Sequence, residues 1–410
     1  MNHDRYNAIK SPSSEVAAAI AHFNAGRDPE RLALKYKALR KDAFSFFRGT
    51  CHLFWSEAPG SFWASAVPLA WSCGDLHLEN FGCYKGDDRL AYFDVNDFDE
   101  AVAAPCYADP VRLMCSILVA ATEMRVGNAG ARALCEVLIT SYATALQDGK
   151  ARSIDRATAD GPILDLLVAA SRRTRRELLD HRTESRGGER KLRTDGKKAL
   201  PVDSTQRARL QQFMAAFASR QTNPEFFRLL DAARRISGTG SLGIERYVLL
   251  VEGKGSPDRN YLLDLKEARP SVLVPYVTAQ QPKWKSEADR VVTIQRRVQA
   301  VSPAFLHSVE MNGRSFVLRG LQPSEDRLDV GDAKVNQAGL RRLVAAMGRI
   351  VAWGQLRSSG WQGSANTNGL IAFGHAVDAW QPALIGLAEN FASRVEADWR
   401  AFRDSPAKST

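Results

Sequence analysis

Cys73-Gly74-Asp75-Leu76-His77-Leu78-Glu79-Asn80, followed by Phe93-Asp94-Val95-Asn96-Asp97-Phe98-Asp99, is the stretch on which the reading of the fold turns. Asp75 and Asn80 stand five positions apart, and Asp97 follows a short apolar run. Phosphotransferases use this arrangement. An aspartate orients the acceptor hydroxyl and takes its proton, while an asparagine oxygen and a second aspartate hold magnesium. Carboxylates as crowded as Asp94, Asp97, Asp99 and Glu100 repel one another unless a cation relieves them. Asp97 and Asp99, at alternate positions, are expected to share one side. His77 is expected to make a structural hydrogen bond. The segment also comes early: only about seventy residues precede it, too few for a whole nucleotide-binding lobe.

A second half is sought further along. Gly238-Thr239-Gly240-Ser241-Leu242-Gly243 fits Gly-x-Gly-x-x-Gly, a weak signal alone. A dinucleotide fold needs a strand before this motif and a helix after it. Here periodicity predicts a helix over 223–235 before it, and strands at Arg246–Val251 and Tyr261–Lys266 after it. The nearer match is the phosphate-covering hairpin of kinases, and no Gly-Lys-Ser/Thr closes a Walker A loop. Gly238, Gly240, Ser241 and Gly243 are therefore expected around the phosphates of ATP. Lys266 is the expected contact to the α- and β-phosphates, and Glu287, in the following helix, its candidate partner. Magnesium is expected on Asn80, Asp97 and Asp99.

The rest of the chain is read as helical at 13–46, 129–148, 161–181, 204–219, 284–300, 335–358 and 376–403, with a hairpin at 305–321. In 13–46 the second amphipathic stretch is drawn through Leu32, Leu34, Tyr36 and Leu39. The 410 residues divide into an N-terminal segment (1–72), a catalytic and helical part (73–236), a β-rich nucleotide-binding part (237–330) and C-terminal helices (331–410). A net charge of +10 favours anionic partners, and much of the excess lies between Arg172 and Lys198. That stretch has no aromatic residue, so a solvated helix end and loop is expected rather than a nucleic-acid surface. No apolar run approaches the length of a membrane span, and Met1–Val16 has no leader-like core. The six cysteines form no Cys-x-x-Cys pair; reduced thiols in a cytoplasm are expected.

The Cys73–Asn80 segment resembles the His-Gly-Asp-x-His-x-x-Asn loop of aminoglycoside and choline phosphotransferases, with cysteine in place of the first histidine. Asp97, Ala101, Pro105 and Asp109 match, at four-residue intervals, that family's metal-binding aspartate, a small residue, a proline and the aspartate opening the next helix. Over its whole length the chain resembles the bacterial family called domain of unknown function 2252. Phe46–Gly49, Cys73–Gly82, Phe93–Glu100, Arg112-Leu113, Gly238–Ala268 and Arg290–Arg296 carry this likeness. The resemblance implies a protein-kinase-like fold and reaction class and leaves the acceptor open.

The expected fold class is therefore α+β, a two-lobed protein-kinase-like fold in permuted order. Catalytic loop comes first, helices second, glycine loop and lysine third, and the long helix at 335–358 resembles the one that ordinarily precedes the catalytic loop. Geometry decides: Lys266 must come within about two side-chain lengths of Asp97 in a shared cleft. The expected activity is ATP- and magnesium-dependent phosphoryl transfer to an unidentified acceptor, with Asp75 as base. Two alternatives stand beside it, a nucleotide-binding pseudokinase or regulatory module, and an AMP transferase. Asp87, Asp88, Asp99 and Glu100 would suit a cationic acceptor or be solvated surface.

Overall fold

The computed structural model describes residues 12–63, 67–323, 331 and 335–406; most of the stretch read for a leader and the start of the 331–410 segment lie outside them. Helices α1 (Pro12–Phe23), α2 (Pro29–Lys41), α3 (Ala43–Gly49), α4 (Cys51–Ser56) and α5 (Gly60–Trp63) open the chain. Asp28 and Asp42 cap α2 and α3, each accepting an amide proton from three residues on. Strands β1 (Leu69–Ser72), β2 (Phe81–Lys85), β3 (Ala91–Val95) and β4 (Val102–Pro105) follow, pairing antiparallel as β1 with β4 and β2 with β3. Next come α6 (Ala108–Val119), α7 (Gly127–Asp148), α8 (Gly161–Arg172), α9 (Arg175–Arg182), and the hairpin of β5 (Thr183–Arg186) with β6 (Glu189–Leu192).

The second half holds β7 (Ala199–Pro201), α10 (Ser204–Ala218), β8 (Leu229–Arg235), β9 (Arg246–Val251), β10 (Tyr261–Glu267) and α11 (Glu287–Val298). It ends with β11 (His307–Met311), β12 (Arg314–Gly320), α12 (Gln337–Arg357), α13 (Thr367–His375) and α14 (Val377–Asp404). The fold is mixed α+β, with helix the larger share. Among the described residues no helix is long and apolar enough to cross a membrane.

Helix α6 is the centre of the helical body. Val111, Leu113, Met114 and Ile117 are fully buried there, in one core with Leu138 and Tyr142 of α7, Val344 and Met347 of α12, and Ile385 and Ala388 of α14. The other body is a six-stranded antiparallel sheet in the order β11-β12-β10-β9-β8-β7. Period-two alternation gives it two faces. Tyr247, Leu249, Leu263, Leu265 and Phe316 pack under Leu210, Met214 and Phe217 of α10. At one end of the opposite face Val248, Leu250 and Leu262 pack with Leu179 of α9 and Leu192 of β6.

Four sequence expectations change. Residues 223–235 are not a helix: a 3-10 turn at Glu225–Phe227 gives way to β8, drawn into the sheet between β7 and β9. Strand pairing with β9 outweighs the helical spacing of the apolar residues there. The glycine loop thus joins two adjacent strands, and β7 and β8, from before residue 237, belong to the β-rich part. The helix at 161–181 is two, broken where Thr174 begins a capping box with Glu177. The basic 172–198 stretch is not merely a solvated loop, because α9 and the β5–β6 hairpin form there. Arg190 is buried in it against Asp180 and Asp258. In α2 the buried stripe is Arg31, Lys35 and Leu39, while Leu34 faces solvent.

Candidate active site

The Asp75 loop is set by the start of α6. Asp109 accepts the amide protons of Cys73 at 2.7 Å and Gly74 at 3.0 Å, tying the end of β1 to the helix. Gly74 has φ +79°, and a Cβ there would sit 2.3 Å from the carbonyl oxygen of Glu100. Only glycine meets both conditions. Trp55 donates its indole N–H to the Gly74 carbonyl at 2.7 Å. The main-chain N–H of His77 donates to Asn80 Oδ1 at 2.8 Å, closing the 3-10 turn Leu78–Asn80. The main-chain N–H of Asn96 then donates to the Asn80 carbonyl at 2.8 Å, so the β2–β3 hairpin brings Asp97 back beside Asn80.

Asp75 is gripped by Arg112 of α6, a residue that sequence reasoning left without a role. Its Nε donates to Asp75 Oδ1 at 3.0 Å, and its Nη2 contacts the same oxygen and donates to the Phe47 carbonyl at 3.3 Å. The guanidinium is wholly buried, 4.1 Å from the Phe47 ring centre and 4.5 Å from that of Phe54. Burial pushes the Asp75 carboxyl above its ordinary value, against the pull of Arg112. Burial likewise lifts Glu100 to about 7, although it accepts the Val272 N–H at 2.7 Å.

Across the cleft, β10 delivers Lys266. Its Nζ lies 4.0 Å from Asp97 Oδ1 and pairs with Asp99. The side chains of Asp75, Asp97 and Asp99 keep 25%, 38% and 30% of their exposure, whereas Lys266 keeps 6%. Asp75, Asn80, Asp97 and Asp99 line one cavity with Gly238, Gly240 and Ser241; Gly243 lies outside its lining. The main-chain N–H of Asp28 donates to the Gly243 carbonyl at 3.0 Å. Gly243 has φ +86°, and a Cβ there would come within 2.8 Å of Arg27 Cβ. The α1–α2 elbow therefore seats the end of the glycine loop.

Glu287 does not meet Lys266. It sits in the first turn of α11, where it pairs with Arg290 at 2.7 Å. Arg290 is the side chain that joins α11 to the acidic segment, donating to the carbonyls of Ala101 at 2.7 Å, Asp99 at 2.8 Å and Arg269 at 2.9 Å. Asp94 also faces away from the cleft: it accepts the Ala300 N–H at 3.0 Å and lies 3.5 Å from Arg357. Asp88, at the β2–β3 turn, accepts the Tyr92 hydroxyl proton at 2.6 Å and does not line the cavity.

The sheet face beside Lys266 carries an ion cluster the sequence did not announce. Arg246, Lys266 and Val317 lie side by side across β9, β10 and β12, and Val248, Asp264 and Arg319 form the next row. Asp264 is buried and contacts Arg246 at 2.6 Å, Arg235 at 2.8 Å and Arg319 at 3.6 Å. The arginines hold its carboxyl well below the ordinary range in spite of burial. Arg246 and Arg319 also line the cavity.

Among the described residues, no group of three or more His, Cys, Asp or Glu side chains is gathered closely enough to hold a metal unaided. All six cysteines are buried free thiols; Cys51 and Cys73 line the cavity, and burial pushes both thiols far up. Comparison with curated proteins and with solved structures finds no match. Residues 27–405 match the family described as "Uncharacterized protein conserved in bacteria (DUF2252)", and the chain belongs to that family.

Proposed function

We propose that the chain is an ATP- and magnesium-dependent phosphotransferase, a two-lobed kinase-like fold in permuted order. One observation carries the reading. The Lys266 ammonium stands 4.0 Å from Asp97 Oδ1, and Asp97 lines one cavity with Asp75, Asn80 and the Gly238–Ser241 loop. Those residues come from opposite ends of the chain's first two-thirds, and each has a role in phosphoryl transfer. The strand–glycine loop–strand arrangement of β8 and β9, with Lys266 on the next strand, adds to it.

The donor set suits magnesium. It offers hard oxygens, two carboxylates and an amide, and magnesium asks only one or two carboxylates of a protein when phosphates complete its sphere. Asn80 and Asp97 would hold it, with Asp99 as a further ligand once Lys266 turns to the phosphates. Bound there, the ion would neutralise charge on the transferring phosphoryl group. Asp75 receives the acceptor proton in this reading. Both Arg112 contacts fall on Oδ1, so Oδ2 is the oxygen to meet the hydroxyl. The cavity measures about 80 Å³, enough for a handful of waters. Nucleotide entry therefore requires the Lys266–Asp99 contact and the glycine loop to part.

AMP transfer is the second reading, and one feature favours it. A nucleotide with its phosphates under the glycine loop must extend its base along the sheet or away from it. Leu179 and Leu192, packed on Val248, Leu250 and Leu262, fill the far end of that sheet face. The test is turnover of Mg-ATP by wild type and Asp97→Asn, with products read by mass. The variant is expected to lose at least about a hundredfold; unchanged turnover would refute the site. A gain of phosphate or of AMP on an acceptor separates the two transfer reactions, and nucleotide binding without transfer would indicate a pseudokinase.

A further inference from the structure

Behind the glycine loop lie two buried basic side chains with no ion-pair partner among the described residues. Arg27 is 7% exposed and Lys35 0%. Arg27 Nη1 donates to the carbonyls of Gly240 at 2.8 Å and Leu242 at 3.1 Å, and Lys35 Nζ donates to Gly240 at 3.1 Å. Among the described residues no carboxylate pairs with either. Arg27 Nε is buried without a hydrogen-bond partner, as are both ring nitrogens of His52, which stacks on Phe23 at 3.8 Å. Neutral carbonyls do not repay the desolvation of two adjacent cations.

Position says what would. Arg27 and Phe23 line the same cavity as Asp75, and Arg27 holds the Gly240 carbonyl of the glycine loop. Burial, then Arg27, press the Lys35 ammonium well below its ordinary value, against the pull of Asp75 and Glu100, so an anion arriving there would restore its charge. The acids that would select a cationic acceptor are otherwise engaged: Asp99 with Lys266, Glu100 with Val272, and Asp88 with Tyr92 at a distant turn. Arg48, which also lines the cavity, is matched by Glu79 at 2.7 Å. Among the described residues Arg27, on the same wall, has no ion-pair partner, and Glu100 is the carboxyl that acts on it most.

We propose that the acceptor is an anion, a hydroxyl compound bearing a phosphate-like group that docks on Arg27 and Lys35 while its hydroxyl faces Asp75. This rests on the phosphotransferase reading for the hydroxyl, though not for the anion. It also gives the α1–α2 elbow a recognition role beyond seating the glycine loop.

Inorganic phosphate is the probe, titrated at constant ionic strength against chloride, with melting temperature as the readout. Wild type should be stabilised in a saturable way, and Arg27→Gln and Lys35→Met should each weaken the apparent affinity at least about tenfold. The response should persist with a saturating imido analogue of ATP, whose γ-phosphate fills the donor site. Without phosphate, Lys35→Met should melt no lower than wild type, since burial and Arg27 disfavour the ammonium there. Absence of a phosphate response in wild type overturns the proposal. So does a response that both variants retain, or one that the analogue abolishes, which would assign the cations to the donor. Asp97→Asn separates the two readings: a phosphate response intact there and in wild type, in a protein that binds no ATP analogue, upholds the anion site and fails the phosphotransferase.

Discussion

Replacing His52 by phenylalanine probes the electrostatics behind the glycine loop. Burial, then Lys35 and Arg27, press the basicity of His52 down from 6.5 to about 3. The folded value is the lower one, so between those limits the unfolded chain binds the extra proton. Stability from this residue is intact above about pH 6.5 and is lost as acid is added. From pH 7.5 to 5 the loss reaches about 2 kcal/mol, with a limiting slope of about 1.4 kcal/mol per pH unit. His52→Phe keeps an aromatic ring against Phe23 and removes the titration. Urea unfolding followed by circular dichroism at pH 7.5, 6.5, 5.5 and 5 would measure both proteins. Buried carboxyls such as Asp75 and Glu100 are common to the two and cancel in the difference. The expected result is a gap that widens by about 2 kcal/mol in favour of the variant as pH falls to 5. Parallel curves would refute the burial of a neutral His52 beside two cations.

Three further outcomes are expected. Asp109→Asn can satisfy only one of the Cys73 and Gly74 amides and should cost about 2 kcal/mol, with Asp109→Ala near ~4 kcal/mol by urea unfolding; wild-type stability in both would refute the tie between α6 and the Asp75 loop. Gly74→Ala should cost more than the ~1–2 kcal/mol of a left-handed residue, since the Glu100 carbonyl must also move; a wild-type soluble yield and urea midpoint would reject the close approach. Glu287→Gln should lower stability by less than about 1 kcal/mol and leave Mg-ATP affinity within about twofold, because only its pair with Arg290 is lost. A tenfold loss of affinity would restore Glu287 as the partner of Lys266.

The Asp75–Asn80 loop and Asp97 could be read because their spacing is local: a tight turn and one hairpin carry the geometry. Strands β9 and β10 were legible for the same reason, as apolar runs bounded by glycine-rich turns. Strand β8 was not, because its residues suit a helix until β9 is beside them. Whether Glu287 meets Lys266 depends on the rotation of α11 about its axis, which no local pattern carries. Arg27, Lys35 and Arg112 stayed hidden because charged residues are ordinarily exposed. One signal existed for Lys35: Arg31, Lys35 and Leu39 recur at four-residue intervals, one helical stripe of which only Leu39 looks apolar.

The order of the elements along the chain bears on how the protein is made. Helix α6 is synthesised early, yet the faces it must bury are supplied by α12 and α14, at the far end of the described chain. Roughly 190 residues separate Asp75 from Lys266, about 10–40 s of translation. For that interval the nascent chain carries an apolar helix without α12 and α14 and a cluster of carboxylates without its lysine. A holdase, or slow release from the ribosome, would matter more to this protein than to one whose core closes in sequence order, and its yield should respond to chaperone supply before its stability does.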